Sequence, residues 1–490
     1  QIVMRCLRKT PAERFQSAAE IMTALESISA KHTEYQPTVA VLPFANMSRD
    51  PDDEYFSDGL AEEILNALSH ISGLRVTART SSFAFRGKEQ DIRQIAEGLG
   101  VTNILEGSVR RAGDRLRVTA QLINAADGYR LWSERFEREL TDVFAVQDEI
   151  AAAVTNALRG KLTGKPASAR PYEPNLAAWE AYLKGRHHFS KRSPQGFARA
   201  REYFEEAIAR DPQWAEPHSG LSGVLYYLGG LGLHPLSAMV QLARVEARKA
   251  LELLPSEPVA HALLGAMAAV HDYDWKEAEE QFRLAMASGS PPTEVRGAYS
   301  QSYLMPLGRF EEAIEERAKA IAQDPLNVRA RTAQAGTLLS AGRYDSALAE
   351  ARTALELDDR YYSAHLVIAE SYFFQGRPAE AREPAEEAFR LAPWDPVATG
   401  FLAGLLMQSD EKERAGKLIS TMRGMVPAAM IMYHLVCSEI DSAIDWYERD
   451  IELRQPGAAM LACSCLLKPL RASPRWAKLA KMMNLPGTVS

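Results

Sequence analysis

Small apolar residues recur in pairs seven positions apart from residue 200 onward: Ala200/Ala207, Ala243/Ala250, Ala278/Ala285, Ala313/Ala320, Ala347/Ala354 and Ala381/Ala388. Seven residues make two helical turns, so each pair marks one stripe of a helix. A methyl group on that stripe lets two helix backbones approach closely, where a larger side chain would wedge them apart. The landmarks between the stripes keep one period. Gly308-Arg309-Phe310, Gly342-Arg343-Tyr344 and Gly376-Arg377-Pro378 are spaced by 34 residues, as are Pro325, Asp359, Pro393 and Pro427. Glycine supplies the positive φ of a turn between helices, and the aromatic packs back into the pair. A proline or Asp-Pro then ends the second helix. The pattern predicts stacked helix pairs whose core becomes continuous only through repetition.

Residues 38–160 follow a different pattern. Val39-Ala-Val-Leu-Pro-Phe44 is a short buried-strand run, and Glu54 to Ile71 has helical spacing through Phe56, Leu60, Ile64, Leu65 and Leu68. Leu74 to Arg79 alternates like a strand, and Asp91 to Leu99 is helical again. Asn103–Arg111, Arg115–Asn124 and Tyr129–Phe136 read as three strands joined by hairpins at Ala112-Gly113-Asp114 and Ala126-Asp127-Gly128. A helix from Val143 to Leu158 leads into a linker at 161–175. The order β-α-β-α-β-β-β-α predicts an α/β domain with a mixed sheet, ahead of an all-α solenoid.

The solenoid residues resemble the tetratricopeptide-repeat family, over about eight units within 176–456, with 457–490 as a helical cap. The second unit is lengthened by Gly229-Gly230-Leu231-Gly232-Leu233-His234-Pro235. The α/β stretch resembles the TolB-amino-terminal-like domain through Val39–Phe44, Phe56-Ser-Asp-Gly-Leu60, Arg79-Thr-Ser-Ser-Phe83, Leu105-Glu-Gly-Ser-Val109 and Trp132-Ser-Glu-Arg135. That resemblance implies an interaction or sensory module and brings no catalytic residues. Residues 1–30, with Cys6-Leu-Arg-Lys-Thr-Pro-Ala-Glu-Arg14-Phe15 and capping boxes at Thr10 and Ser17, resemble the last helices of bacterial serine/threonine protein kinases. The resemblance implies a kinase domain upstream and matches Arg14 to the arginine that pairs with a glutamate of the activation segment. The phosphate loop, catalytic Asp/Asn pair and Asp-Phe-Gly metal ligand do not occur in this sequence. An adenylate cyclase or a CadC-like transcriptional activator is the alternative parent, since both share this carboxy-terminal architecture.

Composition narrows the chemistry. A net charge of −7 and 25% charged residues give no footprint for nucleic acid. No apolar run approaches the roughly 18–20 residues of a membrane helix, and Lys31–Pro37 is too short and polar to cross a bilayer, so a cytoplasmic location is expected. Cys463-Ser-Cys465 has no ligating pair nearby and reads as two buried thiols. Asp52, Asp53, Glu54 and Asp58 suit a helix start. Arg79-Thr80-Ser81-Ser82 has the form of a phosphoacceptor, though strand-end serines ordinarily satisfy turns. Arg110, Arg111, Arg115 and Arg117 bracket a hairpin and read as a wet sheet face, with a phosphate or acidic partner as the alternative. Adjacent His187 and His188 do not share a helix face.

The expected function is protein binding, without catalytic, cofactor or metal residues. A protein or peptide client would lie in the groove lined by the first helices of units five to seven: Arg331, Gln334, Leu338, His365, Ile368, Tyr372, Thr399, Leu402 and Leu406. Polar groups there would set register and apolar pockets would supply affinity.

Overall fold

The computed structural model describes residues 37–48, 53–69, 73–86, 91–158, 172–191, 193–230, 234–287, 291–409, 411–422 and 427–487, with Phe15, Ser17, Asp50 and Ile71. The rest of the kinase-like segment, the linker at 159–171, Asp52 and residues 231–233 lie outside the described residues. No described helix is long and apolar enough to cross a membrane.

The α/β domain runs β1 Thr38–Val41, β2 Ala45–Asn46, α1 Glu54–Ser69, β3 Arg75–Val76, α2 Arg79–Phe83, α3 Ile92–Leu99, β4 Asn103–Ala112, β5 Arg115–Asn124, β6 Arg130–Glu139 and α4 Val143–Ala157. The sheet order is β3-β1-β4-β5-β6, with β2 also on β4. β1 is parallel to β3 and β4, whereas β4, β5 and β6 form an antiparallel meander. Alternation along β5 sends Leu116, Val118, Ala120 and Leu122 to one face, where α1 and α4 cover them with Leu60, Ile64 and Ile150. The opposite face is closed at one end by Ile95 and Leu99 of α3, against Ala40 and Ile104. Both hairpins form with glycines at positive φ, Gly113 and Gly128.

The strand expected at Leu74–Arg79 is a two-residue strand followed by α2. The main chain leaves the sheet because the Ala78 amide donates to Gln323 O in the solenoid, at 2.7 Å. A tertiary partner takes the donor that a longer strand would have used.

Among the described residues the solenoid forms eight helix pairs. They are α5/α6 (Leu176–Ser190, Pro194–Arg210), α7/α8 (Ala215–Gly230, Leu236–Leu253), α9/α10 (Pro258–Met267, Trp275–Ala285) and α11/α12 (Thr293–Tyr299, Phe310–Gln323). Then come α13/α14 (Val328–Ser340, Tyr344–Leu357), α15/α16 (Tyr362–Phe374, Pro378–Leu391), α17/α18 (Pro396–Gln408, Lys412–Met422) and α19/α20 (Ala428–Val436, Ile440–Glu452). All twelve alanines of the seven-residue pairs are buried. Gly308, Gly342 and Gly376 have φ of 72°, 78° and 79°. At Gly342 the turn closes by the 6→1 and 5→2 bonds expected of a left-handed cap, from Arg343 N to Leu338 O and Gly342 N to Leu339 O, both 2.9 Å.

This register makes a direct prediction. Ala347→Trp should cost about 1–3 kcal/mol or more through overpacking, because Ala347 is fully buried, while Ser346→Trp, on the exposed neighbour, should change little. Equal shifts of Tm for the two variants would contradict the register.

After α20 the chain turns back through α21 Pro456–Leu461, α22 Lys468–Arg471 and α23 Trp476–Met482. The Cys463 thiol donates to Pro306 O at 3.0 Å and the Cys465 thiol to Leu339 O at 2.9 Å. Trp275 Nε1 donates to Met483 O at 3.0 Å. Facing this segment, the first helices of units three and four each end in a π-helical turn, Ala268–Asp272 and Ser300–Leu304. The wider turn brings Ala268, Ala269 and Leu304 into one core with Ala458 and Ala459.

Candidate functional site

The α/β domain and the solenoid share a core. Trp179 of α5 meets Phe56 of α1 at 5.3 Å and Phe144 of α4 at 5.5 Å, both edge to face. Leu183, one turn on, fills the space left by Gly59, where a Cβ would come within 2.0 Å of its Cδ1. Charges ring this apolar joint. Arg186 and Arg79 both bind the buried Glu62, and Arg111 reaches Glu180 at 2.8 Å.

A second contact joins the domains at unit four. Ser81 of α2 is fully buried; its amide and hydroxyl both donate to Asp324 Oδ1, at 2.7 and 2.5 Å. The same hydroxyl accepts from Leu326 N at 2.7 Å, and Asp324 Oδ2 accepts from Asn327 Nδ2 at 2.7 Å. Leu326 packs against the face of the sheet that α3 covers. The hydroxyl of the Arg-Thr-Ser-Ser motif is thereby committed to holding the solenoid.

Between the domains lies a cleft of about 1460 Å³. Its wall holds Asp53, Glu54 and Asp58 of the acidic helix start and Arg110 and Arg111 of the hairpin. Arg86, also in the wall, binds Glu54 and Asp58, and Arg111 is 3.7 Å from Asp53. Burial pushes the Asp58 carboxyl up, against the pull of Arg86. Lys184 sits over the Tyr55 ring at 4.7 Å, and His188 stacks on Tyr203 at 5.4 Å. Burial, helped by Lys191, holds His187 and His188 below the usual imidazole range. Arg110 and Arg117 face each other across β4 and β5, and Arg117 pairs with Glu137 of β6 at 2.9 Å.

The structure divides the nine groove residues. Arg331 donates to Pro325 O and to Glu350, each at 2.9 Å, and His365 Nε2 lies 2.8 Å from Asp359 O. Tyr372 accepts from Arg352 at 2.7 Å and carries Arg377 over its ring at 4.6 Å. These three remain partly accessible. Gln334, Leu338 and Ile368 are buried, and Leu338 and Ile368 join a cluster with Leu466 of the returning C-terminal segment. Thr399, Leu402 and Leu406 are fully buried, because α17 is enclosed by its neighbours, and they present no surface to a client. The nine therefore do not line one open groove. The correction has a physical source: period identifies which helix face points inward, but not which parts of that face the chain's own end will cover.

Sequence reasoning also missed two buried carboxylates. Burial, with Asp395 nearby, pushes Glu370 of α15 up to about 8, and burial alone pushes Asp450 of α20 up to about 7. A raised carboxyl binds its proton in the folded state while the unfolded chain has released it. Its favourable contribution is complete below about 4.5 and is lost as pH rises through about 8. Glu370→Gln should accordingly match the parent Tm near pH 5, exceed it at pH 8 and flatten the slope between. An unchanged slope would contradict the assignment.

Comparison with known proteins agrees with this architecture. Residues 338–384 match a tetratricopeptide-repeat model. Residues 35–153 match the model described as HilA/YgeH-like transcriptional regulator, second domain, where the sequence resemblance had pointed to a TolB-like domain. A protein named "Putative adenylate cyclase 3" of Rhizobium meliloti is 43% identical over 189 residues, 38% of this chain and 32% of the relative. The transcriptional regulator HilA of Salmonella typhimurium is 22% identical over 67% of this chain and 57% of the relative. The chain thus spans between a third and about three fifths of these curated relatives. The solved structure of Pseudomonas aeruginosa PilF aligns with TM-score 0.36 at 22% identity, over 47% of this chain and 99% of that one. The chain combines a mixed-sheet α/β domain with a mostly helical, tetratricopeptide-like solenoid.

Proposed function

We propose that this chain is the protein-binding, regulatory region of a bacterial signalling protein: the tetratricopeptide array holds a client and the α/β domain couples it to an output domain. The observation that carries this reading is the shared core at Trp179, which packs the first solenoid helix against the α/β domain and would let a change in one be felt by the other. The relatives support the coupling part, since cyclase and transcriptional regulator are different outputs attached to related regions. The kinase-like wording of residues 1–30 favours a protein kinase as the output here. Coding sequence upstream of Gln1 with His-Arg-Asp and Asp-Phe-Gly motifs would support that reading, and a cyclase or winged-helix domain would replace it.

The client is a protein or peptide that enters past Arg331, His365 and Tyr372, the accessible members of the inner helices. Affinity capture from a bacterial lysate tests this, comparing the intact chain with Arg331→Glu/His365→Glu, both checked for folding by circular dichroism. Loss of a specific band in the variant is expected; an unchanged profile moves the site off these helices. Catalysis resides elsewhere in the protein. Incubated with labelled ATP, magnesium and a generic protein substrate, the chain should yield neither phosphoprotein nor cyclic nucleotide above a heat-treated control.

A further inference from the structure

Among the described residues, two arginines in the middle of the array make no salt bridge. Arg317 lies on α12 between Ala313 and Ala320, on the buried stripe, and is 6% exposed. In the five other alanine-paired units the corresponding residue is Phe204, Ala247, Phe282, Ala351 or Ala385, each buried and apolar. Packing of the repeat therefore asks for a hydrocarbon at this position, and unit four has a cation instead. Among the described residues Arg317 makes no salt bridge and no hydrogen bond. Its Nε is enclosed without a partner, whereas its terminal nitrogens, equally unbonded, are not enclosed.

Arg329, in the first turn of α13, is its electrostatic neighbour. It donates to Tyr227 OH of α7 at 2.9 Å, and its guanidinium is 6.0 Å from that ring. Among the described residues it makes no salt bridge, and the Glu294 carboxylate acts on it only through space. Three arginines of the neighbouring helices are answered by carboxylates: Arg296 by Glu316, Arg331 by Glu350 and Arg343 by Glu311. Thr332 lies one turn beyond Arg329 on the same face of α13, buried, with its hydroxyl unpartnered. Tyr227 belongs to unit two and Arg329 to unit five, so the cluster sits where the curve of the solenoid brings first helices face to face, on its inner side. Burial first, and the Arg329 charge second, push Arg317 down to about 10.

An unpaired buried charge is strongly unfavourable, and a nearby like charge adds to the cost. Among the described residues neither guanidinium has an anion in contact. A phosphoryl group brings about −1.5 to −2 with three acceptor oxygens, enough to meet both planar guanidinium groups at once. We propose that Arg317, Arg329 and Thr332, with Tyr227 across the groove, form a binding site for a phosphoryl group. The group comes either from a phosphorylated side chain of the client or from free phosphate; only the first source rests on the client-binding reading above.

Isothermal titration calorimetry of the full chain tests the site with three ligands: inorganic phosphate, a phosphoserine peptide flanked by alanines, and the same peptide unphosphorylated. Saturable binding of the phosphoserine peptide at one site per chain is expected, with none for the unphosphorylated form. Arg317→Met should weaken that binding at least about tenfold, the loss of charge-assisted hydrogen bonds. In phosphate-free chloride buffer the same variant should melt at or above the parent Tm, since it removes an unpaired buried charge. Arg317→Lys, which keeps the charge and loses the fork, should bind with intermediate affinity and serves if the methionine variant misfolds. Binding of inorganic phosphate without the peptide would support the site and assign it to the free ion. Absence of saturable binding by either phosphate ligand, or equal binding by Arg317→Met and the parent, would overturn it. A chain that captures its client yet binds no phosphate would overturn the site alone.

Discussion

Trp179→Ala is expected to destabilise the chain by about 3–5 kcal/mol, the range for removing a large buried aromatic. It should also split one unfolding transition into two. Trp179 is 1% exposed and stands on the first solenoid helix, yet its ring contacts belong to the α/β domain, Phe56 and Phe144. Deleting the indole leaves a cavity on the seam itself, so the domains should then melt separately. Its Nε1 has no hydrogen-bond partner. Trp179→Phe removes that unsatisfied donor and keeps most of the ring, and should be much closer to neutral. Denaturant unfolding followed by circular dichroism measures both. An alanine variant that melts in one transition at the parent midpoint would mean that the seam carries no load.

The second large effect is expected at Asp324. Its carboxylate, 1% exposed, accepts two bonds from Ser81 and one from Asn327. Hydrogen bonds to charged groups contribute roughly 1.5–3 kcal/mol, and orphaned buried donors add a penalty. Asp324→Ala should therefore cost on the order of 3 kcal/mol, whereas Ser81→Ala should cost less, because backbone donors remain. Since both variants break one network, the double variant should fall short of their sum by about 0.5–3 kcal/mol. Hydrogen exchange should quicken in α2 and in the loop before α13 in each variant. Full additivity would show that the two groups do not act together.

Much of the fold was legible because repetition writes it in duplicate. The paired alanines, the glycines at positive φ and the closing prolines each report one local requirement of a helix pair, and all recur at one period. The meander was legible for a similar reason: Gly113 and Gly128 mark its turns, and alternation from Arg115 to Leu122 states which side is core. Contacts between distant segments were not legible. Nothing local in Ser81 announces Asp324, 243 residues away, and Cys465-Leu466 reads as an apolar stretch of tail until it is seen against Leu339. The groove residues suffered most from this. Leu402 and Leu406 satisfy the periodicity of a lining helix equally well whether they face a client or the next repeat. Arg317 could have been found earlier, as the one charged residue on a stripe that is otherwise alanine or phenylalanine.

The array, and not the α/β sheet, is expected to be the surface that meets a client. Hydrogen–deuterium exchange of the intact chain, free and with its captured client, measures this directly. Protection is expected in α13 and α15, around Arg331, His365 and Tyr372, with β4 to β6 exchanging as in the free chain. Protection confined to the open sheet face, at Arg110, Arg117 and Arg135, with the solenoid helices unchanged, would contradict it.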